Sequence, residues 1–123
     1  MKYLALIYSD EGDKTANPDM ESEAGAKLME GYFAFGAAGA EAGIVAGGDA
    51  LMPTSMATSV QVRNGETITT DGPFAETKEQ LGGFYVLECD NLDTAIEWAA
   101  RIPHSATGTI EVRPVIDFEA LGQ

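Results

Sequence analysis

After Lys2 the chain reads Tyr-Leu-Ala-Leu-Ile-Tyr, apolar or aromatic at every position, until Ser9-Asp10-Glu11 ends the run. So short a run without polar alternation predicts a strand covered on both faces. Asn17-Pro18 then offers an N-cap followed by proline at the first helical position, and Asp19, Glu21 and Glu23 place negative charge near the positive helix end. The spacing predicts a helix over 18–42, with Leu28, Tyr32, Phe35 and Ala42 recurring on one face. Gly25, Gly31, Gly36 and Gly39 within it each cost up to ~1 kcal/mol relative to alanine, a loss that close packing must offset. Gly43 ends this helix.

Residues 44–46 predict a short second strand, after which Gly47-Gly48 opens a flexible loop running through Pro53. Residues 59–63 and 66–70 alternate and are rich in β-branched side chains, and Asn64-Gly65 between them is a type I′ hairpin signature. Asp71-Gly72-Pro73 predicts a turn, residues 74–80 a short helical turn, and residues 83–89 a strongly apolar strand. Asn91 caps a helix over 92–102, with Leu92, Ala95, Ile96 and Ala99 directed inward, Trp98 at the margin and Pro103 as its stop. In the final strand, 109–116, Ile110, Val112, Pro114 and Ile116 share one face, while Glu111, Arg113 and Val115 share the other. Its proline marks an edge or a bulge.

The resulting order is β-α-β, hairpin, β-α-β. It predicts a single α+β domain over 1–123, a ferredoxin-like split βαβ arrangement with an added β-hairpin. Two helices cover one face of such a sheet, yet 2–8 and 83–89 are apolar on both faces. A second copy of the chain is the simplest cover, so a homodimer is expected.

Charge and cysteine content narrow the partners. Twenty Asp and Glu against seven Lys and Arg give a formal net charge of −13, which argues against nucleic acid and anionic membrane surfaces. A basic protein surface or a cationic ligand remains compatible with it, as does a merely solubilising surface. Cys89 is the single cysteine, so no intrachain disulfide can form, and a reducing, cytoplasmic setting is expected. The first apolar run is too short for a secretory signal, and no run approaches the ~20 apolar residues needed to span a bilayer.

The segment Asp71-Gly72-Pro73-Phe74-Ala75-Glu76-Thr77-Lys78-Glu79 is the most distinctive in the chain. With Phe84-Tyr85-Val86, the stretch from Ala95 to Pro103, and Glu111-Val112-Arg113-Pro114, it resembles the YCII-related family, specifically its DGPF-type subgroup. The resemblance spans essentially the whole chain. It implies a ferredoxin-like α+β fold pairing into a dimeric barrel-like assembly, and no settled activity. Other branches of that family carry a His-Asp pair proposed as a catalytic dyad, with the His before or within the first helix region, where this chain has no histidine.

Two readings of the Asp71-Gly72-Pro73 bend stand side by side. It is architectural if Asp71 bonds nearby backbone N–H groups, and functional if it aims Asp71, with Glu76 or Glu79, at a pocket where a raised carboxyl pKa suits a general base. His104, the one histidine, follows Pro103 and is a candidate acid or base, against the alternative of a solvated loop residue. Glu111 and Arg113 share a strand face, where they either bind a carboxylate-bearing ligand or form ion pairs. Asp71 and His104 are therefore the catalytic candidates, and Arg113, Glu79 and Glu111 the ligand-binding ones. Cys89 on an apolar strand reads as an inert buried thiol.

One histidine and one cysteine separated by a helix make no metal site, and the glycine pairs match no phosphate-binding fingerprint, so neither metal nor cofactor is expected. The function these features favour is a dimeric small-molecule-binding protein or an acid-base enzyme acting on a small polar or carbonyl compound. The alternative is a non-catalytic regulatory or accessory module with a protein partner, which the family's association with sigma-factor genes implies.

Overall fold

The computed structural model describes residues 1–122; the last position of the expected domain, 123, lies outside them. Six strands and two α-helices follow one another as β1 (Lys2–Ser9), α1 (Glu23–Glu41), β2 (Val45–Ala50), β3 (Thr58–Arg63), β4 (Glu66–Asp71), β5 (Gln80–Glu88), α2 (Leu92–Ala99) and β6 (Thr109–Pro114). The main sheet has the order β2-β5-β1-β6, and each neighbouring pair is antiparallel. This order is compatible with a ferredoxin-like α+β fold. β3 and β4 form a separate two-stranded sheet between β2 and β5 in sequence.

Alternation along β1 sorts the core from the opposite face. Tyr3, Ala5 and Ile7 are buried and join Phe35 of α1, Leu87 of β5, Cys89 just after that strand, Ala95 of α2 and Ile102 in one cluster. Leu4 and Leu6 alternate with them and are only half-buried, as are their cross-strand neighbours Val86 and Phe84. On the other side of β1, Leu4 pairs with Arg113 and Leu6 with Glu111. That face therefore carries an apolar centre bordered by an Arg and a Glu. The helices lie on the other side.

Several boundaries differ from those expected, each for a physical reason. The first helix begins at Glu23, not Pro18, because Ser22 is its cap and its Oγ accepts the Gly25 N–H at 3.0 Å. Residues 18–22 fold back over the first turn so tightly that a Cβ on Gly25 would lie 2.9 Å from the Cα of Met20. Gly47 and Gly48 fall inside β2, not in a loop. A Cβ at Gly48 would run into Tyr85 of the adjacent strand at 2.7 Å, so glycine is required there by proximity. Residues 74–79 form bends, not a helical turn.

The second helix ends at Ala99; Ala95 and Ala99 are buried as expected, but Leu92 and Ile96 are about half exposed. Trp98 takes the inward role instead, packing edge-on to Phe35 with ring centroids 6.2 Å apart while Arg101 stacks over its ring. The hairpin matches its signature: Asn64 and Gly65 both have positive φ, 54° and 79°, and join strands that are exposed along almost all their length. Pro114 closes β6 at the sheet edge, and the ladder continues one step further through the Val115 N–H to the Lys2 carbonyl.

Candidate functional site

A cavity of about 820 Å3 opens between α1 and the β2-β5-β1 side of the sheet. Its floor contains Ile7, Gly48, Gly83 and Tyr85, its helix wall includes Leu28, Tyr32 and Gly36, and its polar end holds Ser9, Asn17 and His104. Gly36 leaves the helix wall open, since a Cβ there would meet nothing within 4 Å, whereas Gly48 and Gly83 of the floor let β2 and β5 approach closely.

His104 sits at this polar end in the single 3-10 turn Pro103–Ser105 that follows α2. It is buried, 8% exposed, which rules out the solvated-loop reading. Its Nε2 is 2.9 Å from the Ala16 carbonyl oxygen and 3.1 Å from Asn17 Oδ1, and its Nδ1 meets the Tyr32 hydroxyl. A carbonyl can only accept, so Nε2 carries a proton, and in the neutral ring Nδ1 accepts from Tyr32. The Asn17 amide in turn donates to Ser9 Oγ at 3.1 Å and to the Asp10 carbonyl at 2.8 Å. β1, the following loop, α1 and the turn after α2 are thereby tied together around one imidazole.

Burial lifts the Tyr32 hydroxyl well above the ordinary tyrosine pKa, and the nearby Tyr85 hydroxyl lifts it further; the bond to His104 offsets only part of this. Tyr85, packed on Phe35 at 4.8 Å, is raised by burial as well. Both therefore keep their protons through neutral pH. Glu11, on the cavity rim, is held by Thr54, whose N–H and Oγ donate to its two carboxylate oxygens at 2.9 and 2.7 Å.

Of the five residues expected to form a site, only His104 lines this cavity. Arg113 and Glu111 lie on the opposite sheet face and pair with each other along one strand through Arg113 Nε. Glu79 accepts a bond from Thr109 Oγ1 at 2.9 Å, fastening the approach to β5 onto the start of β6. Asp71 ends β4 on the exposed hairpin. The chain by itself does not gather Asp71 or Arg113 around His104, because β6 turns its charged residues away from the helices and the hairpin stands outside the main sheet.

A model of the YCII-related domain matches residues 1–119. The chain belongs to the YCII-related family. An uncharacterised protein of Rhizobium meliloti (strain 1021) is 40% identical over 117 residues, covering 94% of this chain and 92% of the relative. In this YCII-related chain the bend after β4 is held through the Gly72 backbone rather than by the Asp71 carboxylate: the Gly72 N–H donates to the Ala57 carbonyl at 2.7 Å, and Ser59 Oγ donates to the Gly72 carbonyl at 2.8 Å.

Tyr32, Asn17 and Ser9 are site residues that the sequence pattern does not single out. Tyr32 reads as one residue of a helix face and Asn17 as a cap, yet each carries a signal: a hydroxyl on an otherwise apolar inward stripe needs a partner, and the one buried histidine needs two. Cys89 is buried, and burial raises its thiol pKa, as expected of an inert position. Among the described residues no group of three or more His, Cys, Asp or Glu is arranged to hold a metal, and no helix is long and apolar enough to cross a membrane.

Proposed function

We propose that this protein, a DGPF-type member of its family working in the cytoplasm as a homodimer, binds a small polar or carbonyl compound in the α1 cavity and moves a proton on it. The observation that carries this reading is the Tyr32-His104 pair at the polar end of the cavity. In the neutral state Tyr32 donates to Nδ1. When a bound compound gives a proton to the Tyr32 oxygen, the Tyr32 proton passes to Nδ1, and the imidazolium charge faces the Ala16 carbonyl and Asn17 Oδ1, which favour it. The reverse transfer returns the proton.

Arg113 and Glu111 lie on the face assigned here to the partner subunit, and Asp71 on the hairpin. A ligand role for these residues or for Glu79 belongs outside the cavity, in the region the partner closes.

Exchange of protons next to the carbonyl, followed by NMR in D2O across a panel of small aldehydes and ketones, tests the reading. At least one compound should incorporate deuterium with the wild-type protein, and Tyr32→Phe should slow that exchange about 100-fold or more, the scale of a lost general acid–base group. The same compound should raise the melting temperature, since ligand at a hundred times its dissociation constant adds ~2.7 kcal/mol. Exchange that persists unchanged in Tyr32→Phe, or no exchange with any compound, rejects the acid-base role.

A further inference from the structure

We infer that the cavity selects uncharged molecules with a largely apolar body and a single polar group, and rejects anions; this rests on reading the cavity as the ligand site. Seven Lys and Arg residues occur in the chain, and none lines the cavity. Arg101 is stacked on Trp98, Arg113 is paired with Glu111, and Lys14 is paired with Asp19, so three of the seven are engaged elsewhere.

The ionisable residues that do line it are Glu11, Asp49, Tyr32, Tyr85 and His104. Both His104 nitrogens and the Asn17 amide already serve internal partners, so no free cationic donor faces an incoming carboxylate or phosphate. An anion would lose its water beside the Glu11 carboxylate, in a protein of net charge −13, with nothing to replace the lost hydration.

A cation finds little more. The two oxygens of Glu11 are already occupied by Thr54, and alternation places Asp49, opposite Phe84, with its side chain on the other sheet face. Most of the remaining wall, including Ile7, Met20, Leu28, Met29, Phe33 and Leu51, is apolar, and the Gln80 amide already serves the Glu11 N–H and the Thr77 carbonyl. At about 820 Å3 the space falls within the roughly 300–1,000 Å3 range of ligand pockets, and its methionines can adapt to an aromatic body. The single polar group is met by Tyr32.

Two dyes sharing one skeleton isolate the charge. N-phenyl-1-naphthylamine is uncharged, and 8-anilinonaphthalene-1-sulfonate is the same molecule with a sulfonate. Fluorescence titration of the full chain should show the uncharged dye binding at least tenfold more tightly. Gly36→Leu places a side chain into cavity space that no atom occupies within 4 Å of its Cβ, and should weaken the uncharged dye tenfold or more while leaving the melting temperature unchanged or higher. Gly36→Ala should give a smaller loss with the same sense, which keeps the test valid should the leucine variant not fold.

If the sulfonate binds as tightly as its parent and Gly36 substitution weakens both, the cavity is a ligand site but the charge selection is wrong. Charge selection is equally overturned if hexylamine displaces the uncharged dye more strongly than hexanol does. If Gly36 substitutions leave the uncharged dye's affinity unaltered, the dye sits elsewhere, and the selection and the cavity reading fall together.

Discussion

Tyr32 occupies a position where burial opposes its own ionisation. The neutral form is favoured in the folded protein, so as pH rises past about 10 the unfolded chain releases this proton while the folded chain keeps it. The folded state then holds more protons than the unfolded one, and stability falls with rising pH until the folded-state phenol also ionises. Urea midpoints measured from pH 9 to 11 should therefore decline in the wild type and decline less steeply in Tyr32→Phe, with Tyr85 accounting for part of what remains. Equal slopes in the two proteins would show that Tyr32 is not held in its neutral form. At this scale the amino-acid pattern reveals that Tyr32 faces inward but not what it touches, because His104 lies 72 positions away. His104 itself stands out as the one histidine; its burial depends on Ala16 and Asn17 closing over it.

Elements are legible where short-range chemistry decides them. Asn64-Gly65 forms its turn because both residues take positive φ, a conformation that a hairpin of this twist demands and that β-branched residues resist. Gly65→Val should accordingly lower stability by about 1 kcal/mol or more through strain at a special backbone position, read as a drop in the denaturant midpoint at unchanged slope. An unaltered midpoint would mean the turn is not formed in solution. Asn91 caps α2 as its position suggests, with Oδ1 accepting the Thr94 N–H at 2.9 Å. The start of α1 escapes the same logic because two capping residues compete. Asn17 is the stronger local signal with Pro18 behind it, but its side chain is drawn to Ser9, Asp10 and His104, and Ser22 takes the cap. β2 departs from expectation at Gly47-Gly48 for a related reason: Gly48 marks a close strand approach, which has no local signature distinct from flexibility.

At the scale of the molecule, the sheet face bearing Leu4, Leu6, Phe84 and Val86 has no helix of its own. The expected homodimer would close it. A Leu6→Glu variant should then sediment as a monomer at micromolar concentration while keeping its far-UV circular dichroism, since Leu6 lies outside the buried core cluster. A wild-type protein that is already monomeric would reject this assembly. The two-sided apolar runs, the hairpin, the capped second helix and the strand alternation of Glu111 and Arg113 were determined by the amino-acid sequence alone, because each depends on residues within a few positions of one another. The cavity, the pairing of Tyr32 with His104 and the separation of Asp71 and Arg113 from it were decided only by the tertiary structure. Each of these turns on which face of the sheet the helices cover and on where glycines let distant segments approach, and periodicity along a chain records that two faces differ without saying what comes to lie against either one.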